Sequence, residues 1–81
     1  TATVAPAPGW IRVSAEVAGV PAGLRCELVV RTSDGALTPI GGWLSAPAAT
    51  VVAGSAIIDP DRVTAIEVWT DTGQRLVSVP V

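Results

Sequence analysis

The 81 residues contain no histidine, lysine, tyrosine, methionine or phenylalanine, and only one cysteine. Each absence closes a route to chemistry. Without His or Lys the usual general base and the Schiff-base amine are missing, and without Tyr there is no phenol. A lone Cys with no His cannot assemble a Cys/His zinc site. Charge is sparse too, with five basic residues against seven acidic ones and a formal net charge of −2. All five bases are Arg, scattered at positions 12, 25, 31, 62 and 75. Binding to phosphates by counterion release needs clustered positive charge, so no nucleic-acid partner is expected. Cys26 cannot close an internal disulfide, and the fold therefore has to rest on its core. No cofactor, metal site or catalytic residue is expected from this inventory, and the chain reads as non-enzymatic.

What the chain has is apolar surface. Hydrophobic residues make up 49% and charged ones 15%. That is too apolar for a disordered tail, and the length fits one small domain. Residues 1–9 (TATVAPAPG) lack a basic start and a long apolar run, so they are not a signal peptide. Their alternating Ala and Pro favour an extended, semi-rigid linker, leaving residues 10–81 as the domain, cut from something longer. Residues 35–58 carry no charge and are numerous enough to span a bilayer. Pro39, Gly41, Gly42, Pro47 and Gly54 interrupt them, which favours short strands and a turn over a membrane helix.

The apolar pattern has a period of two. Ile11, Val13, Ala15 and Val17 share one face of a strand from Trp10 to Val17, while Arg12, Ser14 and Glu16 take the other. A turn over residues 19–23 leads to a second strand from about Leu24 to Thr32, with Leu24, Cys26, Leu28 and Val30 inward. Arg25, Glu27 and Arg31 point to water. Asp34-Gly35 signals a two-residue hairpin. The strand after it, Leu37 to Leu44, contains Pro39 and belongs at an edge or carries a bulge. Residues 46–49 read as a loop, and Thr50 to Ala53 and Ala56 to Ile58 supply further strand. Asp59-Pro60-Asp61-Arg62-Val63 reads as one helical turn, capped by Asp59 with Pro60 at its first position. Thr64 to Thr70 and Gln74 to Val81 close the chain, joined by a turn at Asp71-Thr72-Gly73. Six to seven short strands of this kind argue for an all-β antiparallel sandwich, immunoglobulin-like.

Few constellations survive scrutiny. Asp71-Thr72-Gly73 matches the active-site triplet of aspartic proteases, but that chemistry needs two carboxylates sharing one proton. A three-residue hairpin with Gly in the left-handed region explains the same letters. Asp59 and Asp61 could ligate calcium, yet they lack the alternating acidic positions that fill a coordination sphere, and capping accounts for Asp59. The serines have no base to take their proton. Cys26, between Leu24 and Leu28, reads as a buried small hydrophobe. Trp43 reads as a core plug. Trp10 and Trp69 fall on outward registers, Trp69 with Glu67. Were their strands neighbours, the two indoles would share one exposed face able to stack a sugar, meet a partner's aromatic group or touch a membrane interface. The competing reading has strand ends and the Pro-rich leader covering them as satellite core. Trp10, Trp69 and Glu67 are thus the candidate partner-binding face.

Laid in order, Trp10, the run Gly19 to Val30, Asp34-Gly35, Gly42-Trp43, Ile66-Glu67-Val68 and Thr72-Gly73-Gln74-Arg75-Leu76-Val77 carry a resemblance. The chain resembles the extracytoplasmic C-terminal domain of single-pass membrane, zinc-binding-type anti-sigma factors from high-GC bacteria, over about Trp10 to Val81. The use of Arg with no Lys fits such a source. The resemblance implies a sensor or regulatory domain on the outer side of the cell membrane, acting by contact with a protein such as an envelope component or a protease. It implies a sigma-factor partner only through a cytoplasmic half, and membrane attachment only through a helix, neither of which lies in these residues. The alternative reading is an accessory carbohydrate- or cell-surface-binding sandwich module using Trp10 and Trp69.

Overall fold

The computed structural model describes residues 2–19, 21–46 and 48–81. Thr1 of the leader, Val20 of the 19–23 turn and Pro47 of the 46–49 loop lie outside the described residues. The described residues form seven strands: β1 (Ala2–Ala7), β2 (Trp10–Val17), β3 (Arg25–Thr32), β4 (Leu37–Leu44), β5 (Thr50–Ala56), β6 (Val63–Thr70) and β7 (Arg75–Pro80). A single 3-10 turn, Pro60–Arg62, precedes β6, and the Asp59 side chain caps it by accepting the Asp61 amide.

All pairings are antiparallel, in two sheets ordered β1-β2-β5 and β4-β3-β6-β7. The described residues form an all-β, immunoglobulin-like sandwich of seven short strands. Alternation puts Ile11, Val13, Ala15, Val17 and Val52 of the first sheet against Cys26, Leu28, Val30, Val63, Ile66 and Val68 of the second. These eleven residues are the core, and Trp43 packs against it as a partly buried plug.

Residues 2–7, expected as a linker, are instead strand β1, paired with β2 from Ala2↔Ala15 to Ala7↔Trp10. Proline's φ suits extended backbone, and an edge strand tolerates its missing N–H, so Pro6 does not prevent pairing. Pro8-Gly9 makes the connecting turn, with Gly9 at φ 77° where an L-residue would be strained. The Asp34-Gly35 hairpin also differs from expectation. Its closing bond runs from the Thr32 amide to the Ala36 carbonyl, so Ser33, Asp34 and Gly35 form a three-residue loop with Gly35 at φ 84°.

Pro39 does lie in an edge strand with a bulge. Leu28 faces Gly41 while Val29 faces Pro39, which leaves Ile40 as the extra residue. One strand, Thr50–Ala56, takes the place of the two expected pieces, and Ile57 and Ile58 lie beyond its end. The uncharged stretch is β4 and β5, and no helix among the described residues is long and apolar enough to cross a membrane.

Candidate functional site

Part of the outer face of the four-stranded sheet is buried as well as its core face. Val29 and Ala65 alternate out of the core cluster, yet they are only 4% and 7% exposed. Glu67, on the same outer face, is 1% exposed. A carboxylate buried this deeply must be paired and hydrogen-bonded to stay charged. The register supplies the partners. Glu67 stands between Val29 on β3 and Ser78 on β7, with Arg31 one pair along β3 and Arg75 opposite Trp69.

The Arg31 guanidinium grips the carboxylate with two bonds, Nε to Oε2 at 3.0 Å and Nη2 to Oε1 at 3.2 Å. The Trp69 indole Nε1 donates to Oε1 at 2.9 Å, and Ser78 Oγ donates to Oε2 at 3.0 Å. Arg75 Nη1 approaches Oε2 at 3.5 Å. Five donors thus converge on two oxygens, which fills their lone pairs. The Arg31 hydrogen bonds outweigh the cost of burial and, with those from Trp69 and Ser78, hold the Glu67 carboxyl at about 2. Such a group has neither proton affinity near neutrality nor a free lone pair for a metal. What it does is lock Trp69, Arg31 and Arg75 in place.

Beside this lock lies a shallow groove lined by Glu27, Val29, Leu37, Pro39, Trp69 and Asp71. Its apolar lining comes from Val29, Leu37, Pro39 and Trp69. Glu27 is the cross-strand partner of Trp69, and Asp71 follows Thr70 in the turn, its amide bonded to the Arg25 carbonyl at 3.0 Å. Neither carboxylate has an ion pair or side-chain hydrogen bond among the described residues. The Asp71-Thr72-Gly73 triplet is a three-residue hairpin loop, closed by the Thr70 amide on the Gln74 carbonyl, with Gly73 at φ 89°.

Of the three residues singled out from sequence, Glu67 and Trp69 come together and Trp10 does not join them. Trp10 lies on β2, in the other sheet, 37% exposed, with the Arg12 guanidinium carbon 5.7 Å from its ring centroid. The strands of Trp10 and Trp69 are not neighbours, so the two indoles make no common platform. Glu67 points outward as its register requires but does not meet water. Arg31, Arg75 and Ser78 were missed as its partners. The one hint in the sequence is a lone acid inside the otherwise apolar run Ala65-Ile66-Glu67-Val68-Trp69.

Cys26 is buried, its Sγ 3.7 Å from the Leu24 carbonyl oxygen. Burial, then the negative charge of Asp71, pushes its thiol above the ordinary range, the opposite of an activated nucleophile. Among the described residues no group of three or more His, Cys, Asp or Glu comes together as a metal site would need. No family model, curated protein or solved structure matches the chain.

Proposed function

We propose that this chain is an extracytoplasmic sensor or regulatory domain of a membrane-bound anti-sigma factor, working by protein contact rather than catalysis. The observation that carries the contact reading is the outer face of the four-stranded sheet. There, a buried carboxylate is saturated by five donors and spends its interactions on fixing the side chains around it. A surface preset in this way loses little freedom when a partner docks, which favours binding. The finer assignment to an anti-sigma factor is supported by the order of turns and strands from Trp10 to Val81 described above.

Two measurements test it. Upstream of Thr1, the gene is expected to encode an apolar span of about 20 residues and, before that, a His/Cys zinc cluster. A catalytic domain or a signal peptide in that place overturns the assignment. In the full-length protein, removing residues 2–81 is expected to change transcription from the cognate sigma factor severalfold while membrane attachment persists. Unchanged transcription under every envelope stress applied overturns the regulatory role.

A further inference from the structure

We propose that the groove beside Trp69 is the docking site for a lysine or arginine side chain from a basic segment of a partner protein. The proposal rests on the reading of the domain as a contact module, and it names the partner's chemistry. Three features converge on one occupant. Val29, Leu37 and Pro39 offer an apolar bed for a methylene stem. Glu27 and Asp71 border the same bed with carboxylates that no cation of the described residues neutralises. Trp69 lines it as well, and a cation within about 6 Å of its ring gains a further attraction.

Charge complementarity selects the sign of the partner. The Arg residues nearest the groove do not occupy it. Arg31 and Arg75 are committed to Glu67, and Arg25, two residues from Glu27, is not among the lining side chains. The chain as a whole carries −2, so its long-range field also favours a basic partner. The bond from Trp69 Nε1 to Glu67 fixes the indole before anything binds.

The test is an NMR titration of the 81-residue chain with a short blocked peptide alternating alanine and lysine. The same peptide with glutamate for lysine, and tetramethylammonium chloride, serve as the other arms. The lysine peptide is expected to bind saturably and more weakly as salt rises, with amide shifts confined to residues 27–29, 37–38 and 69–73. In the double variant Glu27→Gln/Asp71→Asn its affinity is expected to fall about tenfold. Both positions are exposed, and an unchanged amide spectrum elsewhere shows that the fold is kept. Shifts that are absent, equal with the glutamate peptide, or unaltered in the double variant overturn the proposal. Tetramethylammonium binding as tightly as the peptide overturns the protein segment as occupant. None of these outcomes bears on the gene upstream of Thr1, so the docking site and the anti-sigma assignment fail separately.

Discussion

Glu67 has 1% of its side chain exposed and yet stays ionised, because Arg31, Trp69, Ser78 and Arg75 all donate to it. Its carboxyl sits at about 2 in the folded chain, below the ordinary 4.5. A depressed folded value means a stabilisation fully present above pH 4.5 and lost as pH falls through 2. At neutral pH that linkage amounts to roughly 3 kcal/mol. Glu67→Gln is expected to unfold more easily than the parent at pH 7 by about that amount, since a buried neutral amide replaces the carboxylate on which five donors converge. The gap is expected to close between pH 4.5 and 2, and urea unfolding of both proteins across that range measures it. A gap that stays constant with pH would contradict the charge argument. Asp34 is also lowered, chiefly by the Thr32 hydroxyl, but it lies in an exposed loop where solvent screens its pairing with Arg62.

At the scale of elements, the bulge in β4 governs what its neighbour across the sandwich can be. Ile40 is pushed out of register, and its carbonyl oxygen would lie 2.6 Å from a Cβ built on Gly54 of β5. The contact is backbone and cannot swing aside. Gly54→Ala is therefore expected to destabilise the domain by about 1–3 kcal/mol, whereas Ala53→Ser, one residue away and exposed, should be close to neutral. Equilibrium denaturation of the pair checks the difference. The bulge itself was legible, because Pro39 inside an apolar strand has few other places to go. The alternation in β2 was legible for the same kind of reason: one face is core and the other is water. Strand β1 was not, since Ala and Pro in alternation suit a free extended chain and a paired edge equally. Only the pairing of Val4 with Val13 and its neighbours distinguishes them. The Glu67 site was half legible. Period two placed Glu67 and Trp69 on one face, but which arginines stand beside them depends on registers between β3, β6 and β7, which no local pattern encodes.

For the molecule as a whole, the sheet order brings distant segments together. β2 pairs with β5, and β3 pairs with β6, each across intervening strands. Loop closure has to precede these contacts, so folding is expected in milliseconds to seconds, the usual range for all-β sandwiches. Stopped-flow refolding read by tryptophan fluorescence checks this, with Trp43 against the core as a natural reporter. A complete microsecond phase would contradict the topology argument. The same sheet order leaves four rims, at β1, β4, β5 and β7. Pro6, Pro39 and Pro80 lie in three of them, while β5, reading TVVAGSA, has no proline. An open filament needs two rims per molecule that can each extend a sheet, one to receive and one to offer. A closed pair needs only one, used by both copies. The placement of three prolines thus guards a highly apolar chain against runaway polymerisation at high concentration, while leaving a single seam along which two copies could join and stop.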